Sequence, residues 1–279
     1  MGSLSEVCKI LWDHDKNRLK EGEDFKINLK GTKLFTFVNT SKLADIPTFN
    51  ALISLLDKFE SETSVLEQET PEKSDNIQAF LDCCLETDVM QEALSFLLKK
   101  GLVPDPKVDH DAFKKLLYRL WFQLYPRPDE DRTERSAFEH VFVGETYNGR
   151  VLGFHNWVQL YEQESQGQGE LRYTGFKPTA CDNRIITIDF TWKNSFKKVG
   201  SFFLGTSPEF ELAIYTVCFL AGNKNETTVT LENKPAIIVT IHAGSQIKTC
   251  YPKLQVSYVG LAVIAMFTCI KHSQTECLK

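Results

Sequence analysis

The chain has 279 residues, 42% hydrophobic and 25% charged, with 15 Gly and 10 Pro. That composition excludes an intrinsically disordered chain and leaves room for about two packed lobes. With 32 Lys and Arg against 37 Asp and Glu, the overall field would not draw in a polyanion from a distance, so any nucleic-acid contact must be local.

The first elements are helical. From Thr48 to about Glu60, Phe49, Leu52, Ile53, Leu56 and Phe59 recur at three- and four-residue spacing, which predicts a helix with one buried stripe. Ile77 to Cys84 and Val89 to Leu98 repeat the pattern, the second closing on Lys99, Lys100 and Gly101 as a basic last turn and a glycine stop. Phe113, Leu116, Leu117, Leu120, Trp121 and Leu124 form the strongest stripe. Tyr125 to Asp131 then breaks the periodicity with two prolines and a run of charge, which places a boundary there. The expected organisation is a mainly helical lobe over residues 1–128 and an α+β lobe over 129–279.

Beyond the boundary the period changes to two. Ile186, Ile188, Phe190 and Trp192 alternate with polar residues as in a half-buried strand, and Thr227 to Glu232 and Ala236 to His242 fit further strands. Ser207, Pro208 and Glu209 supply a capping hydroxyl, a first-turn proline and an acid, opening a helix that runs to about Ala221. The fold class is α+β. Eight scattered cysteines without CxxC read as small buried thiols and suit a reducing compartment. The longest apolar run, Tyr258 to Ile270, falls short of the roughly 20 residues a membrane-spanning helix needs. The amino end carries no visible targeting signal. A cytoplasmic or nuclear setting is therefore expected, or secretion if a leader was removed.

Two of the six histidines lie close together, in Glu139-His140-Val141-Phe142-Val143-Gly144-Glu145 and in Gly153-Phe154-His155-Asn156-Trp157. Asn148-Gly149 between them is a strong hairpin-turn signal, and Val141 and Val143 alternate like a strand, so the two rings are expected to face one another. Taken singly, either histidine equally fits a packing or surface position. As a pair they fit cleavage of an RNA phosphodiester by its own 2′-hydroxyl: one imidazole takes the 2′-proton and the other gives a proton to the departing 5′-oxygen. A fixed cation should then answer the charge on the phosphoryl oxygens. Lys197 and Lys198 are candidates, with a solvated turn as the plain alternative. From Arg172 to Lys198 six basic residues stand against Asp182 and Asp189, a local excess in an acidic chain. Glu139 and Glu145 flank the first histidine, where a carboxylate favours the charged ring. The same carboxylates could hold an oxygen-loving divalent ion, or face solvent.

These segments, with Lys197-x-Val199-Gly200-Ser201 and Gly205-Thr206-Ser207-Pro208-Glu209-Phe210-Glu211, closely resemble the EndoU (XendoU-like) endoribonucleases. Leu11-Trp12-Asp13-His14-Asp15 and Leu120 to Tyr125 extend the likeness into the first lobe. The resemblance implies a two-lobed α+β enzyme that cuts single-stranded RNA at uridines, leaves a 2′,3′-cyclic phosphate, does not cut DNA, and is stimulated by manganese or calcium; a monomer is expected. It puts His140, His155 and Lys197 in a catalytic triad supported by Glu139 and Glu145. By similarity to the coronaviral relatives, His155 is the base, His140 the acid, and Ser201 the hydroxyl that selects uracil. Tyr251, Tyr258 and Trp157 are candidate substrate contacts. One departure stands out: the family commonly continues into Thr-Ala-Tyr after its Tyr-Ile/Val-Gly, whereas this chain reads Tyr258-Val259-Gly260-Leu261-Ala262-Val263. A non-catalytic RNA-binding module on the same scaffold is therefore the alternative.

Overall fold

The computed structural model describes residues 2–105, 109, 111–126, 134–165, 170–176 and 184–254. Helix α1 (Leu4–His14) starts at a capping box, Ser3 accepting from the Glu6 N–H while Glu6 reaches back to the Ser3 N–H. Its buried face of Val7, Cys8, Leu11 and Trp12 packs on elements from the far end of the chain, described below. A small antiparallel hairpin follows, β1 (Phe25–Ile27) with β2 (Phe35–Val38). At three and four residues these strands are too short to display a period, and the sequence gives no sign of them.

Helices α2 (Thr40–Asp45), α3 (Pro47–Leu56), α4 (Pro71–Leu85), α5 (Asp88–Lys99) and α6 (Ala112–Trp121) complete the helical part. Helix α3 stops at Leu56, short of the expected Glu60, although Phe59 continues to pack against the core. The expected boundary between residues 128 and 129, in the segment from Tyr125 to Asp131, lies within residues 127–133, outside the described residues.

A five-residue π-helical turn, Glu139–Val143, leads into the hairpin β3 (Glu145–Tyr147) and β4 (Arg150–Leu152). After α7 (Trp157–Ser165) come β5 (Leu171–Phe176), β6 (Ile185–Trp192) and β7 (Ser195–Phe203), giving a five-stranded sheet in the order β3-β4-β7-β6-β5. The β4–β7 pair is parallel and the others antiparallel. Helix α8 (Pro208–Ala221) precedes a second sheet of β8 (Asn225–Leu231), β9 (Lys234–Ala243) and β10 (Gln246–Leu254), ordered β10-β9-β8.

Helix α8 is the axle of the packing. Its residues from Pro208 to Phe219 are all buried, and α1 and α5 lie against it. Trp121 on α6 donates from Nε1 to Thr216 Oγ1 (2.9 Å), giving a buried indole its needed partner. Trp157, at the start of α7, sits among Phe25, Phe35 and Phe49 and donates to the Thr206 carbonyl (2.8 Å). Glu164 at the other end of α7 accepts the Leu34 and Phe35 N–H groups (2.7 and 2.8 Å), fastening the small hairpin to the main body. The two larger sheets meet where β10 lies against β7, and the π-helical turn abuts the same strand β10. No helix among the described residues is long and apolar enough to cross a membrane.

Candidate active site

The expectation that Val141 and Val143 lie on a strand is corrected by the fold. The Gly144 N–H returns to the Glu139 carbonyl five residues back (2.8 Å), so His140 sits on a π-helical turn with Val141, Phe142 and Val143 all buried. Alternation over three residues cannot distinguish a short strand from a turn whose apolar side chains face a core on several sides. Such turns recur at functional sites. The Asn148-Gly149 hairpin is present as read, both residues at positive φ (48° and 71°).

From β4 the chain returns to the π-helical turn. Phe154 N–H donates to the His140 carbonyl (2.8 Å) and His155 N–H to the Val141 carbonyl (2.7 Å), so the backbones carrying the two histidines are bonded directly. Gly153 makes this approach possible. Its φ is +57°, and a Cβ built there would fall 1.7 Å from the His140 carbonyl oxygen and 2.8 Å from ring atom Cδ2 of His140. Phe154 is also at positive φ (62°), a strained setting for a bulky residue, held by contacts with Phe190 and Trp192.

Lys197 arrives from β7, so the alternative of a solvated turn is overturned. Its Nζ donates to the Gly153 carbonyl (2.6 Å), two residues before His155. Burial lowers its pKa to about 8, with the Glu145 carboxylate acting in the opposite direction. Lys198, its neighbour, is exposed.

The surroundings of the two imidazoles differ. His140 Nδ1 faces Glu145 Oε2 at 3.0 Å, and that carboxylate is fully buried. His155 Nδ1 faces the Ser201 carbonyl at 3.0 Å. A carbonyl can only accept, so the His155 Nδ1 carries the proton and Nε2 the lone pair. Burial first, then the charges of Lys197 and His140, hold the His155 pKa well below the usual imidazole value, against the hydrogen bond to Ser201. Tyr251 of β10 stacks on the His155 ring, centroids 4.7 Å apart and planes 21° from parallel. Ser201 Oγ donates to the Pro252 carbonyl (2.5 Å), joining the two sheets at the site.

Glu139, Glu145, His140, His155, Lys197, Ser201 and Tyr251 are thus gathered in one region. One other candidate is not. Trp157 is fully buried in the aromatic core, which corrects its expected role as a substrate contact: an indole beside the catalytic-type motif has the same composition whether it lines a groove or fills a core. Tyr258, with the departing Leu261–Val263 segment, lies outside the described residues. Glu139 is also fully buried, its Oε1 held by Arg135 Nη1 (2.5 Å), so it reaches no groove. Burial, with Glu67 and Glu145 nearby, raises its pKa well above the carboxylate range despite Arg135. Arg135 was not singled out from sequence, though its i,i+4 spacing to Glu139 was there to read.

A divalent ion would need several oxygen donors turned to a common point. Among the described residues no group of three or more His, Cys, Asp or Glu is arranged to hold a metal. Glu139 is turned to Arg135 and Glu145 to His140, so the two carboxylates do not converge on an ion.

Comparison with known proteins sets the chain beside RNA-cutting enzymes. Residues 3–252 match the family described as Endoribonuclease XendoU. Poly(U)-specific endoribonuclease-A of Xenopus laevis is 40% identical over 278 residues, covering 90% of this chain and 93% of that protein. Uridylate-specific endoribonuclease B of Danio rerio is 39% identical over 282 residues, covering 92% of this chain and 98% of that one. The solved structure of XendoU, titled a splicing independent snoRNA processing endoribonuclease, aligns with a TM-score of 0.79 at 39% identity over 91% of this chain and 97% of its own. The class is that of the endoribonucleases. Within it, the chain belongs to the XendoU family.

Proposed function

We propose that the protein is an endoribonuclease that cuts single-stranded RNA at uridines by attack of the 2′-oxygen on the adjacent phosphorus, leaving a 2′,3′-cyclic phosphate and a 5′-hydroxyl. The observation that carries this reading is the junction at Gly153. The His140 ring packs on its Cα side, the Lys197 ammonium bonds its carbonyl, and His155 follows two residues later. Family membership and the uridylate- or poly(U)-specific names of two relatives support the substrate class.

The roles follow from the hydrogen bonds. His155, with its lone pair at Nε2 and a depressed pKa, is neutral at physiological pH and takes the 2′-proton. His140 has a buried carboxylate at Nδ1, which favours the protonated ring, and gives a proton from Nε2 to the 5′-oxygen as the P–O bond breaks. Lys197 lies where a cation can answer the charge that grows on the non-bridging oxygens. Ser201 has spent its proton on Pro252, so its lone pairs remain to accept from the N3–H of uracil. Tyr251 offers an aromatic face beside the base-abstracting ring, suited to an unpaired nucleotide. We propose further that manganese or calcium stimulates this cleavage.

The test is cleavage of a single-uridine oligoribonucleotide by the chain and by its His140→Ala, His155→Ala and Lys197→Ala forms. Each substitution should cut the rate by roughly 10²- to 10⁴-fold, the usual worth of an acid or base term. Binding without cleavage by the unaltered chain would favour the non-catalytic module instead.

A further inference from the structure

Behind the π-helical turn lies a buried ionic chain that the proposed chemistry does not use directly. Arg135 is almost fully buried and its guanidinium serves five acceptors. Nη1 donates to the Glu60 carbonyl (2.8 Å), Glu67 Oε2 (2.9 Å) and Glu139 Oε1 (2.5 Å). Nη2 donates to the carbonyls of Glu62 (2.7 Å) and Val65 (2.6 Å). The far oxygen of Glu67 accepts from Lys73 Nζ (2.7 Å), itself buried and also bonded to Glu69 (2.8 Å). Arg135 thus stands between Glu67, which Lys73 holds on its far side, and Glu139, the residue before His140.

The loop that Arg135 grips, residues 60–67, also reaches the other end of the histidine's platform. Thr63 N–H donates to the Thr146 carbonyl (3.1 Å) and Thr146 N–H to the Ser61 carbonyl (2.7 Å), and Thr146 follows Glu145, the partner of His140 Nδ1. One guanidinium therefore ties together both flanks of the π-helical turn. A lysine ammonium has three protons and no fork, and could not serve five acceptors spread over two branches.

We propose that Arg135, backed by Glu67 and Lys73, is a positioning residue for His140, and so governs departure of the 5′-oxygen and not attack by the 2′-oxygen. This rests on the reading of His140 as the acid. It separates two substrates. In RNA the 5′-oxygen leaves with the P–O electron pair and must take a proton from His140. In uridine 3′-(4-nitrophenyl phosphate) the 2′-proton still passes to His155 and the same cyclic phosphate forms, but the phenolate leaves unprotonated.

The experiment measures kcat and KM of Arg135→Lys on both substrates, with affinity for a 2′-deoxyuridine oligonucleotide as a check on binding. The expected result is a kcat on RNA lowered about 10²-fold, as a misplacement of about 1 Å would produce. On the aryl ester kcat should stay within about threefold, and binding should be unchanged. Loss of equal size on both substrates, or no loss on RNA, would overturn the proposal. If Arg135→Lys does not fold, Glu67→Gln gives the same reading with a smaller loss on RNA, and equal losses there overturn it too. His140→Ala serves as the reference: it should lose on RNA and spare the ester. Should it lose alike on both, the acid assignment fails and takes this proposal with it. Should it behave as expected while Arg135→Lys does not, the proposal alone fails.

Discussion

Replacing Gly153 by alanine is the smallest change that should dismantle the site. At φ +57° the added methyl would stand 1.7 Å from the His140 carbonyl oxygen and 2.6 Å from its carbonyl carbon. An ordinary contact is about twice the first distance, so the two backbones must part by about 1.5 Å. That breaks the Phe154 N–H bond to His140 (2.8 Å), worth about 1 kcal/mol net. The left-handed backbone adds about 1–2 kcal/mol for a residue with a Cβ. Together the cost is about 2–3 kcal/mol of stability. The catalytic cost is separate: a separation of about 1 Å between acid and base should lower kcat about 10²-fold. Gly149→Ala is the matched control, since Gly149 has φ +71° but nothing within 4 Å of its would-be Cβ. It should lose about 1–2 kcal/mol from the backbone alone and keep its activity. Urea unfolding and initial rates on a single-uridine oligonucleotide read both effects. A Gly153→Ala protein with normal kcat, or one no worse than Gly149→Ala, would refute the reasoning.

Three further outcomes are expected. The kcat/KM profile should rise through an acidic limb below the usual imidazole value, as His155 becomes neutral, and fall as His140 loses the proton it must give, with Lys197 losing its charge near pH 8; an acidic limb above 6.5 would contradict the assignment of His155 as base. Burial raises Glu211 to about 8 and Asp15 to about 7. These groups stabilise the fold fully below their unfolded values and lose that contribution as pH rises through their folded ones, at up to about 1.4 kcal/mol per pH unit each. Glu211→Gln should flatten the decline in urea midpoint between pH 5 and 8, and an unchanged slope would count against a protonated Glu211. Ser201→Ala removes the acceptor proposed for uracil and should narrow the preference for uridine over cytidine about tenfold, as loss of roughly one hydrogen bond would; a preference left intact, measured on paired oligonucleotides, would remove Ser201 from base selection.

The helices and the longer strands could be read from sequence because their periods run far enough to be counted. The stripe in α6 and the alternation in β6 each span many residues, and Ser207-Pro208 marks the start of α8 unambiguously. The two histidine segments and their Asn148-Gly149 turn were equally visible, being local. What escaped was short or long-range. A five-residue π-helical turn and strands of three or four residues leave no countable period. The stacking of Tyr251 on His155 and the Arg135 clamp join residues far apart in the chain, and nothing in composition links Arg135 to Glu60, Glu62, Val65 and Glu67. Trp157 failed for a different reason: although it stands two residues from His155, its ring fills the core among Phe25, Phe35 and Phe49.

The central claim is that the RNA's own 2′-oxygen breaks the strand. The most direct measurement compares two oligonucleotides that differ only in the 2′-group of a single uridine, with the ends of the products identified by mass. The ribose form should be cut after the uridine to give a 2′,3′-cyclic phosphate and a 5′-hydroxyl, and the 2′-deoxy form should stay intact. Cleavage of the deoxy form at that position, or a 5′-phosphate on the product, would contradict the account.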